Sequence, residues 1–188
     1  GDIVTQAGVG VVRLNVGGGF PSHRLSSQAP DLGSIFRAIK AAALDAFGQD
    51  HPALICEPGR AMVAESFALA TRVKAIRDGE HVFLNDGIYG GLAEMPLMGV
   101  TQRIDVLSPD GHRRHGEAVP RVVFGPTCDS VDCLPGPVAL PCDMAEGDYV
   151  LMHGAGAYTT ATVTRFNGYG EIAVETICSM PGSGARAM

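Results

Sequence analysis

Five short stretches of this 188-residue chain group side chains that can do chemistry. Gly17-Gly18-Gly19-Phe20-Pro21 sets three glycines in a row. Consecutive glycines let backbone N–H groups close on an anion, and a phosphate is the usual guest. Glu57-Pro58-Gly59-Arg60 joins an acid to an arginine. The guanidinium can grip phosphate oxygens in a fork, and the carboxylate can keep a heteroaromatic nitrogen protonated. Gly125-Pro126-Thr127-Cys128-Asp129-Ser130-Val131-Asp132 puts a thiol, able to deliver a proton, beside carboxylates able to receive an ammonium group. Gly154-Ala155-Gly156-Ala157-Tyr158-Thr159 allows close backbone approach and offers one hydroxyl. Asn85-Asp86-Gly87-Ile88-Tyr89-Gly90-Gly91 opens as an ordinary turn. Each stretch also has a plain structural reading: a flexible turn, a surface ion pair, a buried cysteine beside a turn held by Asp and Ser, a tight strand entry.

The elements that must position these groups fall into two textures. Val11–Val16 is a β-branched run that closes on Gly17. Asp31 can cap a helix whose Leu32, Ile35, Phe36, Ile39, Ala43, Ala46 and Phe47 form one apolar stripe, with Gly48 as its stop. Ala53–Cys56 is a second strand, ending at Glu57. Strand, glycine turn, helix and strand make a βαβ unit with a parallel pair. After about residue 67 strand-like runs follow one another: Phe67–Ile76, His81–Asn85, Thr101–Leu107, Arg121–Phe124, Tyr149–Met152, Ala161–Phe166 and Ile172–Cys178. These predict an antiparallel β domain. The fold class is therefore α/β plus all-β, with domains over 1–66 and 67–178 and a flexible tail over 179–188.

Composition narrows the function. Hydrophobic residues at 46% supply a core, and a net charge of −6 disfavours nucleic acid and anionic membrane as partners. The cysteines Cys56, Cys128, Cys133, Cys142 and Cys178 are odd in number and lack a CxxC pair, which argues against a disulfide framework or a structural metal site. No secretion signal opens the chain, and no apolar run reaches the roughly 20 residues that span a bilayer. A cytoplasmic location is expected.

Taken in order, GGGFP, EPGR, NDGIYGG, GPTCDSVD, GAYT and Phe166-Asn167-Gly168 resemble the fold-type III decarboxylases of ornithine, lysine, arginine and diaminopimelate. The resemblance runs from about Val11 to Cys178 and corresponds to the C-terminal half of that family. It implies the last strands of a (β/α)8 TIM-type barrel followed by an alanine-racemase-like β-barrel or sandwich domain. It implies pyridoxal 5'-phosphate as cofactor, bound by Gly17, Gly18, Gly19, Glu57, Pro58, Gly59, Arg60 and Tyr158, with Glu57 on the pyridine nitrogen so that the ring takes up the electrons left when CO2 departs. Cys128 is implied as the proton donor. Asn85, Asp86, Asp129 and Phe166 are implied to meet a diamino-acid substrate, and the cysteine loop to reach the active site across a homodimer interface.

Cys128-Asp129-Ser130 stands where family members acting on diaminopimelate carry a glutamate-containing motif, so a plain diamine end is the better match. Ornithine is the preferred substrate because the motif set looks most like ornithine decarboxylases; lysine differs by one methylene, worth only about 1–3 kcal/mol in a pocket. The family's cofactor-binding lysine is missing. Lys40 lies within the helix and Lys74 within a β run, neither in the family's setting. A complete β/α barrel takes about 250 residues, so the chain reads as a fragment, inactive alone. A non-catalytic regulator that dimerises with an active decarboxylase, and a small phosphate-ligand module, are the other readings.

Overall fold

The structure is a computed structural model that describes residues 1–25 and 28–177. Helix α1 (Asp2–Ala7) leads into strand β1 (Arg13–Asn15), helix α2 (Leu32–Phe47) and strand β2 (Ala53–Ile55). Strands β1 and β2 pair in parallel, as the βαβ reading requires. Hydrogen bonds from Ala53 N–H to Val12 O and from Val16 N–H to Ile55 O carry the ladder past the assigned ends. Asp31 caps α2 by accepting Ser34 N–H at 3.0 Å, and Gly48 ends it at φ 74°. Phe20 packs on the helix through Phe36, their rings 5.2 Å apart. Much of this unit's apolar surface is uncovered: Ala43 is buried, but Ile3, Val12 and Ile55 are exposed.

A short helix α3 (Gly59–Val63) carries the chain to a second sheet. Its strands are β3 (Ala68–Arg77), β4 (His81–Leu84), β5 (Ile104–Leu107), β6 (Ala118–Phe124), β7 (Val138–Pro141) and β8 (Tyr149–His153), with a short helix α4 (Met95–Met98) before β5. The order is β5-β8-β3-β4-β6-β7. The end strands β5 and β7 approach one another, which nearly closes the sheet. Burial alternates along β3, with Leu69, Thr71 and Val73 inward. They meet Val82, Leu84, Val106, Val123, Leu140, Val150 and Met152 in one core.

Four expectations are corrected. The sheet is mixed, because β4 and β6 pair in parallel; the long crossover through α4 and β5 supplies the return that a parallel pair needs. Ala161–Phe166 and the described part of Ile172–Cys178 are not strands. Their residues serve loops instead: Thr164 N–H donates to Tyr89 O, and Ile172 packs on the core. Strand β7, bounded by Pro137 and Pro141, was hidden by its prolines, and β6 starts at Ala118 although it contains Pro120, which pairs with Ala139. The strand expected from Thr101 starts at Ile104, since Thr101 and Gln102 both hydrogen-bond to Arg24 O. Cys178 and the 179–188 tail lie outside the described residues. Cys56, Cys128, Cys133 and Cys142 are free thiols. No described helix is long and apolar enough to cross a membrane.

Candidate active site

The glycine loop and the EPGR segment meet because β1 and β2 are neighbours. Gly17 takes φ 76°, and its N–H donates to Asn15 Oδ1 at 2.8 Å. The Asn15 amide reaches onward, donating from Nδ2 to Glu57 Oε1 at 2.6 Å, while Glu57 N–H donates to Gly17 O. Asn15 thus fixes the glycine turn and the Glu57 carboxylate with one side chain. Gly18 runs so near the next strand that an added Cβ would lie 2.9 Å from Glu57 O. The N–H groups of Gly18 and Gly19 make no hydrogen bond among the described residues.

Pro58 precedes the first turn of α3, so Gly59 and Arg60 enter helical geometry directly after β2. Arg60 is held from two sides. Its Nη1 and Nη2 donate to the two Glu94 carboxylate oxygens at 2.8 and 2.5 Å, and its guanidinium lies 4.8 Å from the centre of the Tyr158 ring. The Glu94 hydrogen bond raises the Arg60 pKa further. Tyr158 itself sits at φ 66°, a left-handed backbone that a non-glycine residue rarely takes. The turn survives because Tyr158 O accepts Ala161 N–H and Thr162 N–H. Gly156 is needed beside it, since a Cβ there would collide with Val63 O. Gly18, Gly19, Glu57, Pro58, Gly59, Arg60 and Tyr158 line one open cleft of about 1090 Å³. Gly17 anchors the loop from behind.

Of the remaining residues, Asp86 lines a separate groove with Ala68, Ala70 and Ile172, and most of the others form a second cluster. Tyr89 is its hub: its hydroxyl donates to Asp129 Oδ2 at 2.5 Å, its ring lies 4.5 Å from that of Phe166, and its carbonyl accepts Thr164 N–H. The Tyr89 hydrogen bond holds the Asp129 carboxyl below its ordinary value. Asn167, in the turn after Phe166, donates from Nδ2 to Cys128 Sγ at 3.1 Å. The Cys128 thiol is exposed. Asp86 accepts Gly91 N–H at 2.9 Å, and burial pushes its carboxyl up. Asn85 ties down β3, accepting Arg72 N–H at 2.6 Å.

Beneath both loops lies Asp132, only 1% exposed. Its carboxylate accepts Ile88 N–H at 2.9 Å, Thr127 N–H at 3.0 Å and the Thr127 hydroxyl at 2.7 Å, which locks the NDGIYGG and GPTCDSVD loops together. Gly87 and Gly125 pack so tightly on it that a Cβ at either would strike the carboxylate. Cys128 and Asp129 line a cleft of about 590 Å³ that also contains Asn85, Lys74 and Tyr169. It shares no lining residue with the Arg60 cleft. Asn15, Glu94, Tyr89 and Asn167 were not singled out from sequence. Their partners lie 34 to 42 residues away along the chain, and no local pattern announces them.

Residues 14–156 match the family model described as the pyridoxal-dependent decarboxylase C-terminal sheet domain. The chain belongs to the pyridoxal-dependent decarboxylases. It is 33% identical over 173 residues to ornithine decarboxylase of Schizosaccharomyces pombe, covering 83% of this chain and 37% of that one. Among solved structures, arginine decarboxylase of Paramecium bursaria Chlorella virus superposes with a TM-score of 0.70 at 31% identity, over 90% of this chain and 45% of that one. Lysine/ornithine decarboxylase of Vibrio vulnificus, complexed with cadaverine, gives 0.69 at 32% identity, over 89% and 44%. The chain thus spans less than half the length of these relatives.

Pyridoxal phosphate is the cofactor of these decarboxylases. The Arg60 cleft has the donor set the cofactor needs: free Gly18 and Gly19 N–H groups and a fixed arginine for the phosphate, and a carboxylate held by Asn15 for the ring nitrogen. Its volume admits a cofactor with a small substrate.

Proposed function

We propose that this chain is the C-terminal portion of a pyridoxal-phosphate-dependent carboxy-lyase that releases CO2 from L-ornithine and yields putrescine. Residues 1–66 are then the last part of a β/α barrel, and 67–178 the β domain. The exposure of both β1 and β2, a parallel pair that normally sits in a larger covered sheet, supports the barrel assignment. The observation that carries the activity is the pair of clusters, one able to hold a phosphorylated pyridine and one presenting a thiol beside an ionised carboxylate.

When bound, pyridoxal phosphate supplies an electron sink for the pair left on the substrate α-carbon as CO2 departs. Gly18, Gly19, Arg60 and Tyr158 hold the phosphate, and Glu57, oriented by Asn15, keeps the ring nitrogen protonated. Cys128 delivers its proton to the α-carbon. Asp129, ionised through Tyr89, receives the distal ammonium, with Asn85 in the same cleft, Phe166 against Tyr89, and Asp86 in the neighbouring groove as a second acidic group. Because the clefts share no lining residue, the Cys128 cluster serves the cofactor of a second copy, across a two-fold interface. Neither Lys40 nor Lys74 lines the Arg60 cleft, so the cofactor's lysine comes from outside this segment. Similarity to arginine and lysine/ornithine decarboxylases makes lysine the second substrate reading.

The test is CO2 release by the full-length protein from carboxyl-labelled ornithine, lysine, arginine and diaminopimelate, each with added pyridoxal phosphate. Ornithine is expected to give the highest kcat/KM. Faster turnover of another substrate would reassign the specificity, and no release from any of the four would overturn the enzymatic reading.

A further inference from the structure

The Cys128 thiol has one hydrogen-bond partner among the described residues, the side-chain amide of Asn167, whose Nδ2 lies 3.1 Å from Sγ. The backbone at Asn167 argues that this contact is put to use. Its φ of 52° is left-handed. Glycine would hold such a turn without strain, whereas a side chain is carried there at a conformational cost that asparagine tolerates better than most. The turn is also fixed from behind. Thr164 donates twice to Tyr89 O, from its N–H at 2.8 Å and from its hydroxyl at 2.9 Å, and Phe166 N–H donates to Thr164 Oγ1 at 3.3 Å. Tyr89 therefore holds Asp129 directly and Cys128 through the Asn167 turn. Asn167 does not line the Cys128 cleft, so it acts on a bound molecule there through the sulfur.

The chemistry of the step gives the second argument. As Cys128 gives its proton to the α-carbon, the electron pair released from the bond to CO2 forms the new C–H bond, and the S–H pair stays on sulfur. The step leaves a thiolate, which regains a proton from water before the next turnover. An N–H aimed at sulfur stabilises that anion more than the neutral thiol. It also occupies one side of the sulfur, so the thiol hydrogen must point away from Asn167. Asp129 and Asp132 on the same loop, Lys74 and Arg77 on β3, and Tyr169 line the cleft and set its charge. Asn167 adds a fixed dipole to that field without adding charge.

We propose that Asn167 is a positioning residue for the proton transfer, whose amide holds the Cys128 sulfur and favours the thiolate that the transfer leaves. The proposal rests on the reading of Cys128 as the proton donor.

The experiment follows alkylation of Cys128 by iodoacetamide in the full-length protein without added cofactor, located by peptide mass spectrometry, between about pH 6 and about pH 10, a range that brackets ordinary thiol ionisation. The thiolate is the species that reacts. Asn167→Gly suits the left-handed turn and removes only the amide. It is expected to slow alkylation about fivefold near neutrality, the worth of one hydrogen bond, with the rates converging at high pH. Asn167→Asp keeps the shape but turns a carboxylate toward sulfur, and is expected to slow it further. In turnover with pyridoxal phosphate, both variants are expected to lower kcat and to misdirect more of the protonation, with KM near wild type. Wild-type alkylation in Asn167→Gly, or slowing by the same factor at every pH, would reduce Asn167 to a turn residue or a steric screen and overturn the proposal. So would an Asp variant alkylated as fast as wild type. If the Asn167 variants alkylate as expected but Cys128→Ala leaves the product ratio and turnover unchanged, the donor reading fails while the contact stands, so the two failures are distinct.

Discussion

The Tyr89 hydroxyl donates to Asp129 Oδ2 at 2.5 Å, joining two loops whose residues are 40 positions apart. Asp129 is half-buried, and of the two hydrogen bonds that favour its ionised form, from the Tyr89 hydroxyl and from Val131 N–H, the Tyr89 bond is the larger influence. With it, the carboxyl lies lower and stays ionised further into acid. Tyr89→Phe removes the donor. The acid limb of the kcat/KM profile is then expected to move upward in pH, with KM for the diamino acid raised severalfold at pH 6 and less at pH 8. An unmoved acid limb would separate Asp129 from substrate recognition.

Asp132 makes a different kind of link, because it is buried. Asp132→Asn replaces an acceptor of three hydrogen bonds by a group that must turn an NH2 toward an N–H. The expected loss is about 2–4 kcal/mol of folding stability, read from urea midpoints. Gly87→Ala and Gly125→Ala press on the same carboxylate and are expected to be at least as damaging. Wild-type stability in any of the three would contradict the locked-loop geometry.

On the far edge of the sheet, Asp105 accepts from His153 Nε2 at 2.9 Å and pairs with Arg113. Burial alone pushes this carboxyl up, but the two partners outweigh it and hold the group below its ordinary value. A depressed carboxyl contributes stability that is complete above the unfolded value, near 3.9, and fades as pH falls through the folded one. Asp105→Asn is therefore expected to lower stability at pH 6 and to flatten its decline below about pH 4. A mutant that loses stability equally at pH 6 and pH 3 would refute the linkage.

Cys128 and Arg60 offer a test of the shared site. Cys128→Ala is expected to cut kcat and misdirect protonation of the α-carbon while leaving KM near wild type; unchanged turnover and product ratio would remove it as the donor. Arg60→Ala should lose cofactor. Mixed and re-annealed, the two variants are expected to regain up to about a quarter of wild-type activity, since random pairing leaves one intact site in each mixed dimer. No recovery would place both clusters in a single-chain site.

The parts legible in the sequence were those whose signals are local. Asp31 and Gly48 bracket α2 as their capping chemistry requires, and the glycines and EPGR fall in one cleft because consecutive βα units put neighbouring strand ends side by side. What stayed hidden depended on distance or on context. Pro137 and Pro141 read as loop signals although β7 lies between them at the sheet's end. Asp132 reads as a turn residue, yet it is a buried junction that joins Thr127 of its own loop to Ile88 of another. The runs at Ala161–Phe166 and Ile172–Ile177 have strand composition but lie as loops: they are mostly exposed and pair with no strand, and only Ile172 packs on the core.

The sheet order has a consequence for how the protein is made. Strand β3 lies between β8 and β4, so one of its two partners leaves the ribosome only when residues 149–153 have been made. At about 5–20 residues per second, the Ala68–Thr71 stretch waits on the order of several seconds for residues 149–153, with the inward Leu69 and Thr71 uncovered and its backbone groups unpaired. During synthesis that stretch is the point at which a chaperone has most to protect.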